Sequence, residues 1–150
     1  MDRKRILEIG LQMEESAFEF YTNAVERVDH PGTKQMLREL AAEEAHHIEL
    51  FTQALEGKDV QFGTDAPTPG QDLKIGETTE APALKPGADS ADILLIAIKA
   101  EMRAIQFYSA SAVTFEGTDT GRMLLDLVKE EEAHKGRLER IYDDEYLQQN

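Results

Sequence analysis

The 150-residue sequence contains no cysteine. This absence excludes disulfide bonds, thiolate metal sites and any cysteine nucleophile. Long apolar runs are also missing. The basic N-terminus lacks the apolar stretch of a signal peptide, and no later segment approaches the length of a membrane span. We therefore expect a soluble, cytoplasmic protein that is not embedded in a membrane.

Basic residues are scarce, since 16 lysines and arginines face 30 acidic residues and leave a formal net charge of -14. Such a charge repels nucleic acid and anionic membranes, so neither is an expected partner. Cations are the favoured small partners, although an acidic surface is also an ordinary way to keep a protein soluble. The length fits one domain, residues 1–150, with a core that needs no cross-links.

Apolar residues recur at steps of three and four in four segments, which is the pattern of amphipathic helices. Turn residues separate the first segment from the second and the third from the fourth. The sequence therefore predicts two antiparallel hairpins, residues 3–56 and 90–147. The four predicted helices span residues 3–29, 33–55, 90–115 and 122–146.

The intervening segment, residues 57–89, has no helical period and contains four of the five prolines. A helix of 25 residues is about 38 Å long, whereas about 30 extended residues can reach about 100 Å. The segment can therefore cross the full length of a bundle and let the third helix run parallel to the second. These features predict an all-α four-helix bundle with a long crossover, a fold that builds metal sites between facing helices.

The two predicted hairpins are repeats of each other, because a shift of 87 residues aligns them without a gap. One offset serves both helices of each hairpin and keeps the turn length between them. Helical patterning by itself would match only apolar residues. The matched pairs include Glu14 with Glu101, Tyr21 with Tyr108, Leu40 with Leu127, Glu43-Glu44 with Glu130-Glu131, and His47 with His134.

The repeated polar residues are spaced to meet inside the bundle. Glu44 and His47 are three residues apart, so they share one helix face, and Leu40 one turn earlier marks that face as buried. The repeat places Glu131 and His134 in the same way. Glu14 shares an inward-facing stripe with apolar residues that include Phe18, and Glu101 has an apolar stripe of its own at a matching depth. All six side chains are therefore expected to converge.

Four glutamates in an apolar core must share protons or bind cations. Two divalent ions would neutralise them, and carboxylate with imidazole ligands suits iron or manganese, with zinc as a further possible occupant. Tyr21 and Tyr108 follow Glu14 and Glu101 by two turns on the same face. Each phenol could donate a hydrogen bond to a ligand carboxylate or simply pack in the core.

One alternative is a second Glu-x-x-His pair, Glu43 with His46. The repeat argues against it, because the offset of 87 pairs His46 with Ala133. A second apolar stripe fits either ordinary packing or a contact between two copies of the chain. The contact is the favoured interpretation, and a homodimer is the expected assembly. That stripe consists of Ile9, Met13, Phe20 and Met102.

The segments Glu14 to Tyr21, Leu40 to His47, Glu101 to Tyr108 and Leu127 to His134 resemble the rubrerythrin branch of the ferritin-like superfamily. The resemblance covers both hairpins. It implies a ferritin-like fold and a non-haem di-iron site that reduces hydrogen peroxide or oxygen in oxidative-stress defence. It also implies bridging roles for Glu44 and Glu131. The implied iron ligands are Glu14, Glu44, His47, Glu101, Glu131 and His134.

Two departures from the rubrerythrin pattern bear on peroxidase activity more than on metal binding. The chain has no cysteines for a rubredoxin domain, so a separate protein such as a rubredoxin would have to donate electrons. Rubrerythrins also carry an additional glutamate near the third-helix ligand, and here the neighbouring positions hold Ala97, Ile98, Ala104 and Ile105. An iron-binding or ferroxidase protein without peroxidase turnover, and a manganese catalase, are the alternative functions.

Overall fold

The computed structural model describes residues 1–57 and 89–147, and most of these residues are helical. None of the described helices combines the length and apolar character needed to cross a lipid bilayer. Apart from Gly57 and Asp89, the predicted crossover lies outside the described residues. A single π-helical turn, Asp143–Leu147, continues the last helix. The helices are α1 (Arg3–Val25), α2 (Pro31–Glu56), α3 (Ser90–Thr114) and α4 (Asp119–Tyr142).

Local sequence explains where these helices begin and end. Helix α2 starts two residues earlier than predicted, because Pro31 suits the first helical turn and His30 caps it. The Asp89 and Asp92 side chains form a capping box at the start of α3. Gly57 ends α2 with a φ of 70°, a left-handed conformation that glycine adopts without strain. Helix α1 ends four residues before the predicted boundary.

Contacts between the hairpins establish the direction of each helix. Arg3 Nε donates to Thr120 Oγ1 at 3.2 Å, so α1 and α4 begin at the same end of the bundle. The Thr33 hydroxyl donates to Glu145 at 3.1 Å, so α2 begins where α4 ends. Helix α3 is therefore parallel to α2, and the end of α2 and the start of α3 lie at opposite ends. This arrangement confirms the predicted four-helix bundle of two antiparallel hairpins.

The apolar core consists of two separate clusters, one toward each end of the bundle. The first cluster contains Tyr21, Leu37, Leu94 and Leu138 with their neighbours, and the second is built around Phe51, Phe107, Tyr108, Phe115 and Leu124. All four helices contribute to each cluster. Helices α1 to α4 therefore hold a middle layer between two apolar ends, and this layer contains the polar side chains that the sequence singles out.

The buried face of α1 differs from the predicted one. Phe18 was expected in the core but is 38% exposed, whereas Ile9 and Phe20, assigned above to an outer stripe, are buried. The buried face extends toward Gly10, where an added Cβ would lie 2.4 Å from the Phe51 ring. Ile9 and Phe20 therefore lie on the side of α1 that faces the core. The predicted outer stripe is therefore wrong for these two residues, and Met102 stays exposed.

Two glycines of α4 are expected to respond oppositely to substitution by alanine. A Cβ at Gly121 would lie 2.2 Å from the Phe115 carbonyl oxygen, whereas a Cβ at Gly136 would meet nothing within 4 Å. Gly121→Ala should lower the free energy of unfolding by about 1–3 kcal/mol through overpacking. Gly136→Ala should raise it by about 0.5–1 kcal/mol, because alanine loses less backbone entropy on folding. Urea unfolding measures both, and equal effects would contradict the packing described here.

Candidate metal centre

Side chains from all four helices meet in the middle layer of the bundle. Helices α1 and α3 each contribute one glutamate, and α2 and α4 each contribute a glutamate and a histidine three residues apart. None of the six residues is more than 3% exposed. The structure thus brings together every residue of the predicted ligand set. We call this set the inner cluster: Glu14, Glu44, His47, Glu101, Glu131 and His134.

The inner cluster divides into two overlapping groups of four. Within each group, one potential ligand atom per residue lies within 4.8 Å of the others. Glu44 and Glu131 belong to both groups, whereas each remaining residue belongs to one. We refer to the groups as the first and second positions. The first position is Glu14, Glu44, His47 and Glu131, and the second is Glu44, Glu101, Glu131 and His134.

The two shared glutamates each direct one oxygen toward each histidine. Glu131 Oε1 lies 3.1 Å from His47 Nδ1, and Oε2 lies 3.4 Å from His134 Nδ1. Glu44 Oε1 lies 3.0 Å from His134 Nδ1, and Oε2 lies 3.7 Å from His47 Nδ1. The imidazole rings stack with their centroids 5.9 Å apart. A carboxylate in this arrangement can bind one cation through each oxygen.

Several carboxylate oxygens of the inner cluster lack hydrogen-bond donors. Within residues 1–57 and 89–147, Glu44 Oε2, Glu101 Oε2 and Glu131 Oε1 are buried and make no hydrogen bond. Glu131 Oε1 is close to His47 Nδ1, but the two atoms lack the alignment of a hydrogen bond. Buried acceptors without donors are costly, and a bound cation would satisfy them. The donor set therefore fits divalent metal ions with a preference for oxygen and imidazole ligands.

Two tyrosines donate hydrogen bonds to the two glutamates that belong to only one position each, and each tyrosine comes from the opposite hairpin. The Tyr21 hydroxyl donates to Glu101 Oε1 at 2.5 Å, and the Tyr108 hydroxyl donates to Glu14 Oε1 at 2.7 Å. Burial, followed by the charge of nearby glutamates, raises the pKa of each phenol well above its usual value. Both phenols therefore stay protonated and remain hydrogen-bond donors. The crossed pairing restrains each terminal carboxylate from across the helix interface.

Without metal, three residues of the inner cluster hold protons more tightly than they would in an unfolded chain. Burial alone would lower the pKa of His47, but the close Glu131 and Glu44 carboxylates raise it to about 11. His134 has its pKa raised to about 12, since contacts with Glu101, Glu131 and Glu44 outweigh its burial. Burial and the neighbouring Glu101 raise the pKa of Glu131 to about 8. Cations can replace these protons as the counter-charge of the carboxylates.

Two further carboxylates contact the outer edges of the imidazoles. Sequence reasoning considered Glu43 only as a partner of His46 and gave Glu130 no role. His47 Nε2 lies 2.5 Å from Glu130 Oε2, and His134 Nε2 lies 2.7 Å from Glu43 Oε2. The sequence does contain a signal for this pair of contacts. The repeat aligns Glu43 with Glu130, and each precedes a histidine by four residues. His46, the alternative ligand, is exposed and belongs to neither group of four.

A cavity of about 450 Å³ lies between α2 and α4, on the outer side of the two imidazoles. Both histidines of the inner cluster line it, together with Glu43, Glu130 and the exposed His46. Ala42 and Ala133 also line it, and their small side chains leave the space open. The imidazole rings therefore stand between this cavity and the inner carboxylates.

Comparison with known proteins agrees with the fold. The Rubrerythrin family model matches residues 5–70, which include all but the first two residues of the first hairpin. A solved structure described as a dodecameric thioferritin, the bacterioferritin-related protein from Bacteroides fragilis, superposes with a TM-score of 0.72 at 24% identity. The superposition covers 94% of this chain and 84% of the thioferritin chain.

A hypothetical protein from Pyrococcus furiosus superposes with a TM-score of 0.70 at 23% identity, over 93% of this chain and 87% of that chain. The search of curated proteins found no significant match. At these identities the solved structures support the fold, and the family model supports the resemblance. Residues 5–70 therefore resemble the Rubrerythrin family, and the described helices share the four-helix-bundle fold of these two solved structures.

Proposed function

We propose that this protein is a di-iron carboxylate oxidoreductase that reduces hydrogen peroxide or oxygen. The observation that carries the proposal is the pair of overlapping groups of four, in which Glu44 and Glu131 each offer one oxygen to each position. Two cations bound this way would share both carboxylates. Manganese and zinc fit the same donors, and the resemblance to rubrerythrins favours iron.

The residues around the positions have distinct tasks in this proposal. His47 and His134 supply one imidazole nitrogen to each position, and Tyr21 and Tyr108 restrain the terminal glutamates. The two apolar clusters exclude water from above and below the layer. Bound iron would supply the two electrons that, with two protons, convert one hydrogen peroxide into two waters. A separate donor protein, such as a rubredoxin, would return those electrons.

The test is peroxide consumption by anaerobically purified protein. Iron content near two per chain and peroxide loss in proportion to that content are the expected results, with a chemical reductant sustaining further turnover. A fully iron-loaded and reduced sample that does not consume peroxide would contradict the oxidoreductase proposal. Oxygen release from peroxide without any reductant would instead indicate a catalase, in which manganese is the expected metal.

A second candidate is an iron-binding or ferroxidase protein that works within an assembly. Two observations favour it. Beside Glu101, α3 presents the buried methyl groups of Ala97 and Ala104 rather than a further carboxylate. A structurally similar protein is described as a dodecameric thioferritin, which favours oligomerisation. The mass in solution separates the candidates, because a homodimer has no shell to store iron whereas a large closed assembly does.

A further inference from the structure

The outer nitrogen of each inner histidine faces a carboxylate from the other hairpin. Glu130 of the second hairpin contacts His47 Nε2 at 2.5 Å, and Glu43 of the first hairpin contacts His134 Nε2 at 2.7 Å. Each glutamate immediately precedes a shared glutamate of the inner cluster in the sequence. The two contacts are therefore related by the same repeat as the inner cluster, and both cross the interface between hairpins.

These contacts determine which nitrogen of each imidazole carries the proton and which one faces the metal position. Nδ1 of both rings faces the inner carboxylates, so Nε2 is the nitrogen left to face outward. A carboxylate accepts a hydrogen bond from Nε2–H, which leaves the Nδ1 lone pair directed at the metal position. Carboxylate partners of this kind fix the ring orientation and increase the basicity of a metal-binding histidine.

Glu43 and Glu130 are placed to orient histidines rather than to bind metal. Their side chains are 49% and 53% exposed, whereas the histidine side chains they contact are no more than 4% exposed. Neither glutamate belongs to a group of four. Both line the cavity between α2 and α4. Arg137 Nη1 lies 3.5 Å from the same Glu43 oxygen and supports that carboxylate from the solvent side.

We propose that Glu43 and Glu130 are positioning residues that act across the hairpin interface. Glu130 orients His47 for the first position, and Glu43 orients His134 for the second. This inference rests on the proposed metal centre and extends it, because each position then depends on an outer carboxylate supplied by the opposite hairpin. Loss of the outer carboxylate typically weakens metal binding about 10- to 100-fold.

The crossed assignment is tested by measuring Co²⁺ affinity in chains that retain one position. Glu101→Ala removes a ligand found only in the second position, and Glu14→Ala removes one found only in the first. In the Glu101→Ala background, Glu130→Ala should weaken Co²⁺ binding more than Glu43→Ala does. In the Glu14→Ala background, the ranking should reverse. Chelator competition gives the affinity, and the visible bands of bound Co²⁺ report the ligand geometry.

Two further variants separate orientation from charge. Glu132→Ala removes the same charge from an exposed neighbour on α4 and should leave Co²⁺ affinity close to that of its background. Glu130→Gln keeps an oxygen that can accept from Nε2–H, so it should recover most of the affinity lost in Glu130→Ala. Circular dichroism of each metal-free variant checks that the helices are intact.

The outcomes distinguish this inference from the proposed metal centre. A reversal of ranking between the two backgrounds supports crossed positioning. The same ranking in both backgrounds, or an equal loss in Glu132→Ala, overturns it and leaves only a general charge effect. If a single-position background does not fold, the otherwise intact chain is used, where each alanine variant should weaken one of two Co²⁺ binding steps. Wild-type protein that binds no metal would instead refute the metal centre itself.

Discussion

Glu44→Ala is expected to abolish binding at both metal positions. Glu44 belongs to both groups of four and directs one oxygen toward each histidine, so its loss removes a ligand from each position. Loss of an outer hydrogen-bond partner already costs about 10- to 100-fold in metal affinity, and loss of a direct ligand should cost more. Elemental analysis after anaerobic purification should therefore fall from near two metals per chain to near none.

Two variants give this result its controls. Glu14→Ala alters only the first position and should retain about one metal per chain, because the second keeps all four of its residues. Glu49→Ala removes an exposed carboxylate from the same helix as Glu44 and should keep both metals. If Glu44→Ala keeps as much metal as Glu14→Ala, Glu44 does not serve both positions. Thermal unfolding of the metal-free variants checks that the fold is retained.

Raising the pH from 6.5 to 9 is expected to destabilise the metal-free protein and strengthen metal binding. The pKa values of His47 and His134 rise from 6.5 to about 11 and about 12, because contacts with inner carboxylates outweigh burial. The folded state therefore binds these protons more tightly than the unfolded chain. Their contribution to stability is fully present below about pH 6.5 and is lost as the pH rises through the folded-state values.

The pKa of the shared glutamate Glu131 is also raised, so its contribution to stability likewise falls as the pH increases. Burial and Glu101 raise its pKa from 4.5 to about 8, so its contribution is present below about pH 4.5 and lost as the pH approaches 8. A metal that binds deprotonated imidazole and carboxylate must displace these protons, which makes its affinity increase with pH. We expect one proton to be released from each of His47, His134 and Glu131 when both positions fill near neutral pH.

Thermal unfolding in chelator should show that the melting temperature of the metal-free protein declines as the pH rises. Proton release in a weakly buffered metal titration tests whether the metal displaces protons. The metal-loaded protein should lose this decline in melting temperature, because its imidazoles hold metal instead of protons. His46→Gln removes an exposed histidine and should keep the decline. A melting temperature for the metal-free protein that rises between pH 6.5 and 9 would contradict the proton-rich cluster.

The middle layer also explains why the protein can hold so many ionisable groups in its core. The tyrosine hydroxyls donate to Glu14 and Glu101, and the shared glutamates lie beside the histidines. Cations would satisfy the carboxylate oxygens that lack donors. Unpaired, this set would be prohibitively costly to bury. The apolar clusters on either side supply the packing that keeps the layer closed.

Much of this architecture was predictable because its signals are local and repeated. Helical periodicity indicates four helices, and the offset of 87 residues by itself pairs the glutamates and the histidines. A glutamate and a histidine three residues apart on one helix face must point the same way. The convergence of the six buried residues follows from that spacing and from the matching depth of the two hairpins.

Tertiary structure decided what depends on how one helix faces another. The spacing of Tyr21 from Glu14 suggested a phenol beside a glutamate, but only packing shows that Tyr21 reaches Glu101 of the other hairpin. Likewise, the sequence alone could not show that Glu130 contacts His47. The rotation of α1 that exposes Phe18 and buries Phe20 depends on packing against the other helices. Periodicity specifies which residues share a face, whereas the partner of each face is determined by packing between segments distant in sequence.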